Sequence, residues 1–116
     1  MQHGNQKFLP NKQQQQGDVC LDLVPLPEKA QRKNGRVILA YGEATGHLHE
    51  VIGEGVELYE DGDVMYVVIP GEEAAVLTHQ EHHTQTLDPT PPGYAWRRRI
   101  VREYDHFAEE ARQVRD

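Results

Sequence analysis

Short runs in which apolar and polar residues alternate, cut by turn residues at intervals of about eight to twelve positions, predict a mostly β protein. The length of 116 residues fits one ordinary domain and leaves no room for two. The pattern changes only near the end, where Asp105 precedes a stretch of helix-forming composition. The expected architecture is a small antiparallel β-barrel or sandwich with a short C-terminal α-helix. The expected organisation is a flexible Gln-rich arm over 1–16 and a single β-rich domain over 17–116, with the helix at 105–115.

Each element has a local reason. Gln13 to Gln16 form a polar low-complexity run that ends the arm. Val19, Leu21 and Leu23 alternate with Cys20, Asp22 and Val24 until Pro25 and Pro27 stop the strand. The polar stretch 28–35 closes on Asn34-Gly35, a strong turn signal. Segment 36–41 reads as a buried strand, 42–46 as a glycine-flanked loop, 47–52 as a short strand and 53–55 as a turn. Segments 56–59 and 64–69 make a hairpin through Glu60-Asp61-Gly62-Asp63, and Pro70-Gly71 breaks it. Segment 74–77 leads into a histidine cluster, the proline-rich 88–93 is loop, and 94–101 is the last strand. In the final helix Phe107, Ala111 and Val114 share one face.

Composition removes several function classes. The sole cysteine, Cys20, excludes an internal disulfide and a Cys-rich zinc module, and its apolar strand makes it an inert thiol. The chain has no serine, which excludes a Ser-His-Asp triad, and Gly42 and Gly46 do not make a phosphate-binding loop. No apolar run approaches a membrane span, and the N-terminus lacks a signal peptide's apolar stretch. A cytoplasmic protein is expected, or one incorporated into a virion or filament made there. Hydrophobic content is 37%, so the core is expected to be thin and a homo-oligomer would help to bury it.

The net charge of −7 hides a segregation. Every Lys and Arg lies at or before Arg36 or at or after Arg97, while 37–96 carries eleven Asp and Glu. Such a segment attracts cations and is expected to hold its histidines more basic than usual until a metal displaces their protons. The basic patch Arg97-Arg98-Arg99, beside Trp96 and near Arg102, would suit a nucleic-acid reader. Strand alternation divides it, however, with Arg97 and Arg99 on one face and Trp96, Arg98, Ile100 and Arg102 on the other. Ion pairing with the acidic middle, within the chain or between subunits, is the preferred reading.

The chemistry-bearing feature is a pair of histidine clusters inside the acidic segment. His47 and His49 form H-x-H, and His79 and His82 form H-x-x-H, with His83 beside them as a bystander. Residues i and i+2 of a strand share a face, so His47 and His49 can address one ion while Leu48 turns to the core. Four imidazoles saturate a tetrahedral zinc; three, or three plus a carboxylate, leave a position open for chemistry. Glu43, Glu50, Glu54 and Glu81 are the carboxylates close in sequence. The order His47, His49, Glu54, with Gly42 before and Gly62 after, is similar to the first metal motif of cupin barrels. The likeness is partial, because Pro70-Gly71 lies too far before His79 to form the second motif.

A wider set of motifs carries a second resemblance. It comprises Gln16-Gly17-Asp18-Val19, Leu26-Pro27, the stretch 35–49, Leu77-Thr78-His79-Gln80-Glu81-His82, Pro92-Gly93-Tyr94 and Arg102-Glu103-Tyr104-Asp105. Together these resemble the signature of a family of small uncharacterised proteins of phages, prophages and bacteria, over about 16–116. The resemblance implies that His47, His49, His79 and His82 are the family's motif histidines, with Glu43, Thr45, Gly46 and Glu81 beside them. Gln80 stands where the signature has an acid, 95–98 is richer in arginine, and the loop 84–92 is longer. The family carries no assigned activity, so the reaction stays open.

The leading expectation is therefore a metal-binding β-barrel with zinc or iron on His47, His49, His79 and His82. With an open position it would act as a hydrolase or oxygenase, with Glu81 or Glu43 as general base. The alternatives are a self-assembling virion or filament subunit, for which the phage association and segregated charge speak, and a small nucleic-acid-binding barrel, which is not favoured.

Overall fold

Ten strands, all paired antiparallel, occupy the described residues of this computed structural model, 13–41 and 46–101. They are β1 (Gln13–Gln16), β2 (Val19–Pro25), β3 (Gln31–Lys33), β4 (Val37–Tyr41), β5 (Leu48–Ile52), β6 (Glu57–Asp61), β7 (Val64–Val68), β8 (Ala75–Thr78), β9 (Gln85–Leu87) and β10 (Tyr94–Ile100). One sheet has six strands in the order β1-β2-β10-β7-β6-β3, and the other has four in the order β4-β5-β8-β9.

The alternation seen in the sequence becomes the core. Val19, Leu21 and Leu23 of β2, Leu58 of β6, Val67 of β7 and Trp96 of β10 come from the larger sheet. Val37, Leu39, Val51, Ala75, Leu77 and Leu87 come from the smaller, and Ile69 follows β7. All are buried in one cluster. Trp96 fills the largest share of it, and its indole N–H is satisfied by the carbonyl of Asp88 at 3.1 Å. Gly53 is required by close packing, since a Cβ there would lie 2.7 Å from Cβ of Ala75.

Two hairpins use the same turn chemistry. Gln16 pairs with Val19 across Gly17-Asp18, and Asp61 pairs with Val64 across Gly62-Asp63. In each the glycine has positive φ (57° and 62°), and no non-glycine residue described does. A glycine at the first central position followed by an ordinary φ is the pattern of a type II′ turn, which matches strand twist.

The expected architecture is corrected in two respects. The sheets are not closed into a barrel: β1 and β9, at their adjoining edges, are tied by side chains and not by a backbone ladder. Gln14 Nε2 donates to Thr86 O at 2.8 Å, and Gln85 Nε2 donates to Gln15 O. Nor is there a helix among the described residues, so the short C-terminal α-helix is not supported; 105–115, where it was expected, lies outside those residues. Consequently none of them forms a helix long and apolar enough to cross a membrane.

The strand content was also underestimated. β1 falls in the run read as the end of the arm, β3 in a stretch read as polar connection, and β9 in the loop after the second histidine cluster. The remainder of the arm, 1–12, lies outside the described residues.

Because Leu77 is fully buried between the sheets while Ile52 is 52% exposed, the two positions should respond differently to truncation. Leu77→Ala is expected to cost about 2–5 kcal/mol, and Ile52→Ala within about 0.5 kcal/mol, both read by urea denaturation. Equal losses would contradict the assigned core.

Candidate functional site

The apolar rows of β5 and β8 run into histidine at one end. On β5, Val51 faces the core, so His49, two residues earlier, does too. On β8, Ala75 and Leu77 face the core, and His79 is next in that row. The strands pair with Glu50 opposite Thr78 and Val51 opposite Leu77. One step further along this register sets His49 against His79, and their ring centroids are 4.3 Å apart. His82 follows at 4.6 Å from His79 and 5.9 Å from His49, and His47 lies 5.5 Å from His79. The fold thus brings together the four histidines singled out in the sequence.

The orientation of β5 differs from expectation. His49 is 7% exposed and sits in the inward row, while Leu48 is half-buried on the other face. The amide of Leu48 is held by Gln80 Oε1 at 2.9 Å, which ties the start of β5 to the segment after β8. The cluster therefore runs from the interior to the surface: His49 is buried, His47 and His79 are half-buried, and His82 is exposed.

The carboxylates sort by position. Glu81 is the one brought to the histidines, with Oε2 3.7 Å from His47 Nδ1, and its backbone N–H donates to His79 Nδ1 at 3.0 Å. Glu50, on the opposite face to His49, accepts from Arg36 Nη2 at 2.7 Å and from Arg36 Nε at 2.9 Å. Glu54 lies in the turn beyond the other end of β5, so the cupin-like order does not gather into one place. Glu43 and Thr45 lie outside the described residues.

Sequence reasoning missed Gln16 and Gly17. Gln16, on the core face of β1, is 1% exposed. Its Nε2 donates to Leu77 O and His83 O, both at 2.9 Å, and its Oε1 lies 2.9 Å from His49 Nδ1. Gly17 leaves room for His82, whose Nε2 would stand 2.6 Å from a Cβ at that position. The signal was present in the Gly17-Asp18 turn. A two-residue hairpin carries the inward face of Val19 and Leu21 back onto Gln16 and Gln14.

Burial overrides the acidic field that was expected to make the histidines basic. Removal from water pushes His49 down from 6.5 to about 4, with the neighbouring charges of His79 and His82 adding to the effect and Asp18 opposing it. His79 is lowered by burial first and then by His82 and His47, against Glu81. At neutral pH these two rings are uncharged, the state in which imidazole binds metals.

As it stands, no group of three or more His, Cys, Asp or Glu among the described residues forms a ready metal cage. One hydrogen bond supplies a physical reason. With Nδ1 accepting from the Glu81 amide, neutral His79 carries its proton on Nε2, so its one available lone pair, on Nδ1, is occupied until that hydrogen bond is given up.

The arginine run is engaged away from this site. Arg99 and Arg97 both reach Asp22, at 2.6 and 3.3 Å, and the hydrogen bond from Arg99 chiefly holds that carboxyl below its usual range. Arg98 crosses between sheets to Leu39 O at 2.7 Å. The partner of Arg97 and Arg99 is thus on β2 and not in the acidic middle.

A family model described as a domain of unknown function (DUF8820) matches residues 15–99. The chain belongs to the DUF8820 family. The matched DUF8820 segment holds Gln16, Gly17, all four clustered histidines and Glu81. No curated protein and no solved structure matches the chain.

The lowered pKa values set a pH dependence. Both histidines release their protons more readily folded than unfolded. The contribution of His49 to stability is therefore present above about pH 6.5 and lost as the pH falls towards about 4, and that of His79 is lost in the same direction, because the unfolded chain takes up protons first. The melting temperature of the metal-free protein should fall across that window. His49→Asn, which keeps a donor near Gln16 but cannot titrate, should fall less steeply. Parallel curves would contradict the assignment.

Proposed function

We propose that this DUF8820 protein binds one divalent ion, zinc or iron(II), through His47, His49, His79 and His82. The observation that carries the reading is the gathering of four imidazoles from two distant segments, with four neighbouring centroid separations between 4.3 and 5.9 Å. With metal–nitrogen bonds of about 2.0–2.1 Å and roughly 1.2 Å more to the ring centre, ligands of a tetrahedral ion stand about 5 Å apart. The four separations between neighbouring rings, 4.3, 4.6, 5.5 and 5.9 Å, bracket that value, which supports the reading; binding would require the rings to rotate. Rotation of His79 gives up its hydrogen bond from the Glu81 amide, which is a cost the metal bonds must exceed.

The chemistry depends on how many rings ligate. Four imidazoles complete the shell and make the ion structural; three leave a position for water or dioxygen. In the second case Glu81, whose Oε2 lies 3.7 Å from His47 Nδ1, would be the candidate to accept a proton from water on the ion. That arrangement supports a hydrolase over an oxygenase.

Elemental analysis tests the reading on tag-free protein and on the His47→Ala/His82→Ala double variant. About one zinc or iron per chain, lost in the variant, is the expected result. No metal in the wild type, even after anaerobic reconstitution, would overturn it and put the self-assembling subunit in front.

A further inference from the structure

Gln16 does more than fill a buried position. A primary amide has one accepting oxygen and one nitrogen with two hydrogens, whereas a backbone carbonyl only accepts. Gln16 Nε2 faces two such carbonyls, Leu77 O and His83 O. Flipping the amide would set its oxygen against both of them, so its orientation is fixed. Oε1 is therefore the atom at His49 Nδ1, and it requires that nitrogen to donate.

We propose that Gln16 is the positioning residue of the histidine cluster: it fixes His49 in the Nδ1–H tautomer and leaves Nε2 as the donor atom for the ion. The consequence for metal binding rests on the reading above, while the tautomer itself does not. A hydrogen bond at the far nitrogen of a ligating histidine commonly sets both ring orientation and donor atom.

The rest of β1 holds Gln16 in place. Its backbone pairs with Val19 across the Gly17-Asp18 turn. Gln14 reaches Thr86 O, and Gln85 reaches Gln15 O, so both neighbours are fastened to β9. Gln15 Nε2 closes on Gly17 O at 3.0 Å. The glutamine run is thus a strap from the larger sheet to the smaller, with its innermost side chain on a histidine.

The test is nitrogen-15 NMR of the histidine rings in metal-free protein near neutral pH, paired with zinc titration. Wild type should show His49 protonated on Nδ1. Gln16→Leu should shift His49 towards the Nε2–H form and weaken zinc binding by about 10–100-fold. Gln16→Glu, which keeps an acceptor at Nδ1 but loses both donors, should retain the Nδ1–H form. A wild-type His49 protonated on Nε2 would overturn the proposal without recourse to any variant, should Gln16→Leu fail to fold. So would Gln16→Leu with tautomer and affinity unchanged. The Nδ1–H form in a wild type that binds no zinc would support the role of Gln16 and overturn the metal reading instead.

Discussion

The pairing of β5 with β8 is the constraint on which the site depends. With Val51 opposite Leu77, both residues enter the core, and the same parity carries His49 and His79 inward. A slip of β5 by one residue would expose Val51 and turn His49 outward in one move, because side chains alternate with period two. The hydrophobic core thus enforces the position of the histidines. Burial of Leu77, Val51 and Ala75 on the inward face supplies the driving force, and the imidazoles come with them.

That coupling creates a tension which the surroundings resolve. Buried polar groups without partners are costly, and a cluster of cationic rings would repel itself. The protein meets the first demand with Gln16, which satisfies His49 and two backbone carbonyls together. It meets the second by keeping His49 and His79 neutral. Neutral rings with lowered pKa values, close-set and partly held by fixed hydrogen bonds, are what a metal needs and what an ordinary core avoids. Perturbed groups of this kind gather at functional sites more often than elsewhere.

Much of this was legible in the sequence. Alternation located β2, and short runs bounded by turn residues located β4, β5, β6, β7 and β10. The histidine spacing selected four residues that the fold does bring together. What escaped notice did so for identifiable reasons. Gln13 to Gln16 have no apolar residue to mark a buried face, so β1 looked like an arm; its one buried side chain, Gln16, is held by hydrogen bonds instead. Leu48 looked like the core residue of its strand, but the row containing Val51 decides the parity. The acidic middle suggested basic histidines, yet Glu50 is committed to Arg36 on the outer face, leaving desolvation to dominate at His49. A barrel or sandwich was expected from short strands cut by regularly spaced turns, and that pattern does not say whether the last edges meet by backbone or by side chain.

X-ray absorption on the zinc-loaded protein addresses the central claim most directly, because it counts the rings around the ion. The account predicts a nitrogen shell at about 2.0–2.1 Å with the outer-shell scattering of at least three imidazoles. An oxygen-dominated shell with one imidazole or none would mean that the ion sits on the acidic surface, and that the histidine cluster is part of the core and not a metal site.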